Sequence, residues 1–485
     1  MELDRAACYR ALTLRDARFD GRFFTAVRTT RIYCRPICPA RTPLEANCLF
    51  LPSAAAAQAA GYRPCLRCRP EVAPGTAGWR GTQAAVSRAL SLIAEGALDA
   101  GTVADLAERL GLGERQLRRL FAEHVGASPQ QISQARRVLF AKELLHETSL
   151  PMAQVALASG FRSLRRFNEV LRRELGRASA KLRRSKVAEG AALTLRLPFV
   201  APYDWDSMAA FLAGRAIAGV EVVDERGYRR TVALEGAVGT VEVKPAKDGA
   251  QLLATVRLSR IEALAPAVAR LRRLFDVDAD GLAIGKHLSR DPLLAPLVAA
   301  RPGLRVPGAW EPFEIAVRAI LGQQVSVAAA RTLAGRLVAA HGESLPAPLE
   351  PALSKLFPTA QALAAADLTL IGLPGARARS LSALAAAVAA DPAVLSSAAR
   401  LAAAKLPGIG PWTAAYVAMR ALREPDAFPA SDLVLRKSLA AGSASARSSA
   451  PAALPSVAEV EFRSEAWRPY RAYAALHLWT SETRR

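Results

Sequence analysis

The feature that most constrains this chain is a set of four cysteines in two tight pairs, Cys34-x3-Cys38 and Cys65-x2-Cys68. Two short-spaced pairs can converge on one ion, and four thiolates are a donor set for tetrahedral zinc. The same spacing would also allow two disulfides in a secreted domain. The N-terminus, Met1-Glu2-Leu3-Asp4-Arg5, carries no apolar leader, so a reducing compartment and a single Zn²⁺ are expected instead. Cys8 and Cys48 have no such pairing and read as small apolar side chains.

At 485 residues the chain is too long for one core, and three or four domains are expected. A net charge of +22 points to nucleic acid before membranes, because no long apolar span accompanies it. The charge is uneven: residues 80–191 hold 19 Lys/Arg against 11 Asp/Glu, whereas 192–303 hold 15 against 13. The second of these segments therefore reads as scaffold. Turn-rich or basic stretches at 70–78, 181–186 and 301–308 mark linkers, and the Ser/Ala-rich stretch 440–453 reads as a surface loop.

The residues around the cysteines sharpen the expectation. Residues 29–41 read Thr-Thr-Arg-Ile-Tyr-Cys-Arg-Pro-Ile-Cys-Pro-Ala-Arg, and 61–68 read Gly-Tyr-Arg-Pro-Cys-Leu-Arg-Cys. Residues 1–75 thereby resemble the metal-binding N-terminal domain of Ada-type adaptive-response regulators. The resemblance implies a structural zinc held by Cys34, Cys38, Cys65 and Cys68, with Cys34 accepting a methyl group from a DNA phosphotriester. Arg41 and Arg67 are expected to meet DNA. A zinc-bound thiolate is a competent nucleophile toward such a methyl group, and its methylation removes one negative charge near DNA. A zinc site without transfer activity is the alternative.

Residues 102–125 and 151–175 repeat one pattern, a short amphipathic helix, a glycine turn and a second helix rich in arginine. Between them a longer helix starts at Ser128-Pro129, a serine cap with proline in the first turn. Arg115, Gln116, Arg119, Arg162, Ser163, Arg166 and Asn168 project from the second helix of each unit and are candidate DNA contacts. Residues 80–185, with Gly-Phe-x-Ser-x-x-x-Phe at 160–167, are similar to the AraC-family tandem helix-turn-helix domain. Gly176-Arg-Ala-Ser departs from that family's usual Gly-x-x-Pro.

Residues 192–303 mix strand-like runs (193–199, 219–223, 239–243, 252–258) with helices near 207–216 and 263–274. With Pro-Tyr-Asp-Trp at 202–205 they resemble the N-terminal domain of AlkA-type DNA-3-methyladenine glycosylases. In residues 304–485, Leu406-Pro-Gly-Ile-Gly-Pro-Trp-Thr413 is a Gly-x-Gly hairpin opening a helix, where backbone N–H groups can meet a phosphate. Gly408, Gly410 and Thr413 are the anchor candidates. Phe428-Pro-Ala-Ser-Asp-Leu-Val-Leu-Arg436 then supplies Asp432. Together with Ala319-Ile-Leu-Gly-Gln-Gln-Val-Ser326, this is similar to the helix-hairpin-helix glycosylase superfamily.

That resemblance makes Asp432 the catalytic carboxylate, stabilising an oxocarbenium-like transition state and orienting water. It places Trp412, Tyr416 and Trp479 in a base pocket and Gln324 where some members carry an intercalating leucine. Trp412 stands where bifunctional relatives have a Schiff-base lysine, so lyase activity is not expected. No cysteine follows Asp432, so no iron–sulfur cluster is expected either.

The fold expected is therefore multidomain α+β: a zinc-binding α/β domain, an all-α tandem helix-turn-helix, an α+β domain and a mainly helical glycosylase domain. The expected function combines monofunctional excision of alkylated bases such as 3-methyladenine, suicidal methyl acceptance and transcription regulation. The partners would be double-stranded DNA and RNA polymerase, in a cytoplasmic monomer with no membrane attachment. A regulator whose C-terminal half only binds DNA is the alternative.

Overall fold

A computed structural model describes residues 4–482 except 17–18, 21–22, 66, 69, 71–82, 177, 184–191, 235, 248, 347, 349 and 444–453. The expected linkers at 70–78 and 181–186 and the loop at 440–453 lie largely outside the described residues. Helix Leu433–Ser443 takes in the first residues of that loop. The chain forms two compact units. One is Met1–Val200 with Ala233–Arg272 and Val277–Ala279; the other is Ala201–Val232 with Arg273–Asp276 and Asp280–Arg485.

The first unit begins with a four-stranded sheet whose strands, numbered along the chain, are β1 (Phe24–Val27), β2 (Ile32–Cys34), β3 (Cys48–Leu51) and β4 (Arg63–Pro64), in the order β3-β1-β2-β4. β1 runs antiparallel to both neighbours, while β4 lies parallel to β2 with Tyr33 opposite Pro64. That register carries Cys34 and Cys65 out of adjacent strand ends side by side. Phe24 and Tyr33 meet edge to face at 5.8 Å in a small core.

The two helix-turn-helix units follow. Helix Val103–Leu110 starts at a reciprocal cap between Thr102 and Asp105 and stops at Gly111, whose φ of 69° only glycine adopts readily. Helix Glu114–Val125 buries Leu117, Leu120, Phe121 and Val125, and helix Pro129–Glu147 starts at Ser128 as expected. The second unit pairs Met152–Ala158 with Leu164–Leu175. Gly160 has a φ of +81°, and a Cβ there would come within 2.3 Å of the Asp99 carboxylate. Arg136 and Arg137 hold that carboxylate in place. Phe161 and Phe167 pack edge to face at 5.4 Å, which accounts for both aromatics of the Gly-Phe-x-Ser-x-x-x-Phe element. Strands Leu193–Pro198, Ala237–Pro245 and Gln251–Leu258 pair antiparallel in this unit, close to the expected runs.

In the second unit, strands Glu221–Asp224 and Gly227–Leu234 form a hairpin with Glu221 opposite Arg230. The second of these strands was not anticipated. It reads Gly-Tyr-Arg-Arg-Thr-Val-Ala-Leu, and two adjacent arginines argue against a buried strand. Both are nonetheless buried, because Arg229 pairs with Asp224 and Glu350, and Arg230 with Glu314. Helix Pro312–Leu321 is buried along most of its length in a core with Leu337, Leu381, Leu384 and Val417. Helix Pro411–Arg420 packs on it directly after the Gly-x-Gly hairpin. Among the described residues, no helix is long and apolar enough to cross a membrane.

Candidate functional site

The metal site lies in the first unit. The Sγ atoms of Cys34, Cys38, Cys65 and Cys68 all lie within 4.8 Å of one another, with Cys38 and Cys65 4.0 Å apart. Zn–S bonds of about 2.3 Å in a tetrahedron require sulfur separations of about 3.8 Å, so the four thiols fit one zinc ion. The backbone N–H of Arg35 donates to Cys68 Sγ at 3.3 Å, and that of Arg67 donates to Cys65 Sγ at 3.4 Å. Such donors favour the thiolate forms and orient the ligands.

The Arg35 side chain was not anticipated. It is buried, donates from Nε to Asp20 at 2.8 Å and from Nη1 to the Cys68 carbonyl at 3.1 Å, and so ties the two cysteine loops together. Its position between two metal cysteines, in Cys34-Arg-Pro, was the available signal. Lys142, fully buried on helix Pro129–Glu147, donates to the Cys65 carbonyl at 3.2 Å, joining the metal loops to the helix-turn-helix region.

Cys38, Cys65 and Cys68 are buried, whereas Cys34 is partly exposed. Cys8 and Cys48 are buried and free, as expected; burial, helped by Asp4, pushes the Cys8 thiol up to about 11.

The candidate DNA residues of this unit divide into two groups. Arg41, Arg67, Arg115, Gln116, Arg119 and Arg162 are exposed. Arg166 is exposed but paired with Glu169 at 2.9 Å, and Ser163 caps its own helix. Asn168 accepts a hydrogen bond from Ser179 Oγ at 2.7 Å, so its side chain is tied back to the domain. The partner is the serine that stands where the family's usual proline would be.

The second unit holds a cavity of about 440 Å³, within the usual range of small-molecule sites. Asp432 stands on its wall, and both indoles point at it. Trp412 Nε1 donates to Oδ2 at 2.9 Å, and Trp479 Nε1 donates to Oδ1 at 2.9 Å. Oδ1 also accepts from the Leu435 N–H at 3.0 Å, so Asp432 caps helix Leu433–Ser443 as well. Three donors fill three of the roughly four lone-pair positions of a carboxylate and leave one for a reacting atom or water. Trp412 and Tyr416 stack at 5.2 Å and 10°, with Trp479 tilted at 6.3 Å from Tyr416. The structure thus brings Asp432, Trp412, Tyr416 and Trp479 together as expected.

Gln324 is not among the residues lining the cavity. It sits exposed in a turn with φ 57°, while the neighbouring Gln323 turns inward to the Gly408 carbonyl at 2.7 Å and to Thr413 Oγ1 at 3.1 Å. The Thr413 hydroxyl is therefore occupied inside the fold. Gly408 has φ +75°, and a Cβ there would meet Ser380 Oγ at 2.5 Å. Gly410 has open space around it, which leaves the backbone approachable.

Reading from sequence missed Phe211, Arg215 and Arg420 on the wall and Glu221, Arg230, Glu314 and Arg318 at the floor. Arg420 could have been found, since it follows Trp412 and Tyr416 at four-residue intervals along one helix face. Its Nη1 donates to Tyr416 Oη at 2.6 Å. Burial raises the Tyr416 hydroxyl, but Arg420, Arg215 and Arg318 outweigh it and hold the group below its ordinary value.

The floor is a buried ion network. Glu314 accepts from Arg230 at 2.7 Å and from Arg318 Nη2 at 2.7 Å, and Glu221 accepts from Tyr228 at 2.7 Å. Burial alone would raise Glu314; Arg230 and Arg318 reverse this and hold it at about 2. A folded-state value below the unfolded one contributes stability that is complete above about pH 4.5 and fades as pH falls toward 2. We expect Glu314 to contribute about 3 kcal/mol this way. Acid unfolding followed by tryptophan fluorescence should begin at higher pH in Glu314→Gln, which is already destabilised at pH 7, and the variant's stability should fall less steeply between about pH 4.5 and 2.

Four family models match the chain: the metal binding domain of Ada over residues 7–71, a helix-turn-helix domain over 106–185, the AlkA N-terminal domain over 194–311, and the HhH-GPD superfamily of base excision DNA repair proteins over 317–461. A protein of Mycobacterium tuberculosis, described as a probable bifunctional transcriptional activator/DNA repair enzyme AlkA, is 43% identical over 99% of this chain and 97% of its own length. The chain belongs to that family of bifunctional activator/DNA repair AlkA proteins. The DNA-3-methyladenine glycosylase 2 of Escherichia coli is 38% identical over 58% of the chain and 95% of its own length. A 3-methyladenine DNA-glycosylase structure from Archaeoglobus fulgidus superposes with a TM-score of 0.51 at 20% identity, covering 59% of this chain and 98% of that one, which speaks for the fold alone. This AlkA-family chain thus carries a zinc domain, a helix-turn-helix region and a glycosylase domain in a multidomain α+β arrangement.

Proposed function

We propose that the C-terminal half hydrolyses the N-glycosyl bond of alkylated bases, 3-methyladenine among them, in double-stranded DNA. The observation that carries this reading is Asp432, held by two indole N–H groups on the wall of an aromatic cavity. An extruded base would stack on Trp412 and Tyr416, with Trp479 and Asp432 beside its sugar. The carboxylate then stabilises positive charge growing at C1′ and directs water to it, while the base leaves with the bonding electrons. Cationic methylpurines are good leaving groups, and no separate acid is required. Gly408, Gly410 and the backbone at Thr413 would hold a phosphate, and Gln324, exposed at its turn, would enter the space the base vacates. Incubation with methylated duplex DNA and chromatography of free bases tests this reading. Release of 3-methyladenine is expected, and no release refutes it.

The N-terminal half would accept a methyl group at Cys34 and bind a promoter through the two helix-turn-helix units. Bound zinc keeps the thiols ionised. Cys34 is the acceptor because it is the accessible one of the four. Its sulfur forms a bond to the methyl carbon, the O–CH₃ bond of the phosphotriester breaks, and the electron pair stays on the phosphate oxygen. Removing one negative charge beside the exposed Arg41 and Arg67 strengthens DNA binding. Pre-treatment with methylated DNA should raise promoter affinity about tenfold or more, and Cys34→Ser should abolish the increase. An increase that survives in Cys34→Ser would place the acceptor elsewhere. The domains proposed are 1–75, 80–185, 192–303 and 304–485, in a cytoplasmic, nucleoid-associated monomer that recruits RNA polymerase.

A further inference from the structure

Five arginines line the cavity beside Asp432, none of them used by the excision reading, and one, Arg331, is exposed to solvent. Arg420 and Arg215 both lie against the Phe211 ring, 4.7 and 3.7 Å from its centroid. Arg420 is occupied by the Pro307 and Gly308 carbonyls and by the Tyr416 hydroxyl. At the floor, Arg230 and Arg318 are matched by Glu221 and Glu314.

Arg215 differs from all three. It lines the cavity together with Tyr416 and donates to the Phe211 carbonyl at 3.3 Å, and among the described residues no carboxylate pairs with it. Burial lowers its affinity for its proton, with Arg420 and Arg318 adding to the effect against the opposing pull of Tyr416. Arg215 is half-buried, and a guanidinium carries five N–H donors and no acceptor, so these contacts leave donors over for a ligand in the cavity. Leaving such donors unmet is costly, and a ligand that supplies an acceptor is rewarded.

We propose that Arg215 is a specificity-determining residue whose spare donors bind the exocyclic carbonyl oxygen of the extruded base. The pocket thereby favours 6-oxo purines, such as 7-methylguanine, relative to 6-amino purines, such as 3-methyladenine. Both lesions are cationic in DNA, so repulsion by the guanidinium is common to the two. The exocyclic group is what differs: an oxo oxygen accepts from Arg215, whereas an amino group sets donor against donor. This inference rests on the glycosylase reading above.

One substrate tests both. DNA methylated with dimethyl sulfate contains both lesions, and release of each base is followed by chromatography for the full-length protein, Arg215→Met and Arg215→Lys. Arg215→Met keeps the aliphatic stem over Phe211 while removing the donors. It should lower 7-methylguanine release about tenfold or more and change 3-methyladenine release by less than about twofold, with Arg215→Lys recovering part of the loss. A parallel fall for both bases would make Arg215 a structural prop. No change for either base, or a wild-type protein that frees only 3-methyladenine, would also discard the assignment while leaving the glycosylase reading intact. A wild-type protein that frees neither base refutes that reading and takes this inference with it.

Discussion

Asp432→Asn is expected to lower release of 3-methyladenine from methylated duplex DNA by on the order of 10²–10³-fold, while DNA binding is retained. The substitution removes the charge that would face C1′ but preserves the shape. Oδ1 can remain an acceptor for Trp479 and for the Leu435 N–H, so the cap on helix Leu433–Ser443 survives. The amide nitrogen then falls where Oδ2 was and opposes the Trp412 N–H, donor against donor. One buried donor left unmet costs about 1–3 kcal/mol, so a modest fall in melting temperature should accompany the loss of activity. Release at wild-type rates by this variant would remove Asp432 from the chemistry.

Stripping the metal should act on the opposite end of the chain. The hydrophobic core around Phe24, Ala26, Tyr33, Ala57 and Tyr62 is small, and besides the metal the loops bearing the four cysteines are closed chiefly by the hydrogen bonds of Arg35 and Lys142. Structural zinc in comparable peptides contributes about 10–16 kcal/mol of apparent binding energy, which is folding energy for such a module. Treatment with a strong chelator is therefore expected to abolish amide-exchange protection across β1–β4, and zinc should restore it. Base release should persist, because the cavity is built wholly from the second unit. Promoter binding should fall, since Lys142 and Ser53 link the metal domain to the helix-turn-helix region through the Cys65 and Val125 carbonyls. Retention of exchange protection after verified metal loss would show that the sheet stands without the ion.

The catalytic-site consequences and the metal-site consequences separate cleanly because the two sites draw on different residues. Methylation at Cys34 would change charge in the first unit alone, and the Glu314 network protects only the second. A variant that loses one function should therefore keep the other, and Asp432→Asn with Cys34→Ser form the natural pair of controls.

Much of this protein is local in sequence. Cysteine spacing, the Thr102, Ser128 and Ser163 caps, the glycine stops and the Gly-x-Gly hairpin each depend on residues within a few positions, where propensity and periodicity operate. These determined the zinc ligands and the paired helix-turn-helix units; Asp432 was singled out by the resemblance, and its meeting with Trp412 and Trp479 spans 20 and 47 residues of chain. Tertiary structure decided the rest. Two consecutive arginines became strand residues only because Glu314, Glu350 and Asp224 arrive from elsewhere to neutralise them. Asn168 left the set of free DNA contacts because Ser179 folds back on it, and Thr413 because Gln323 does. Arg215, two residues beyond helix Trp205–Ala213, reaches the cavity formed with helix Pro411–Arg420 by a packing no periodicity encodes. Charges distant in sequence find their partners only once the core has formed, because the cost of burying each one depends on which counter-charge shares its site.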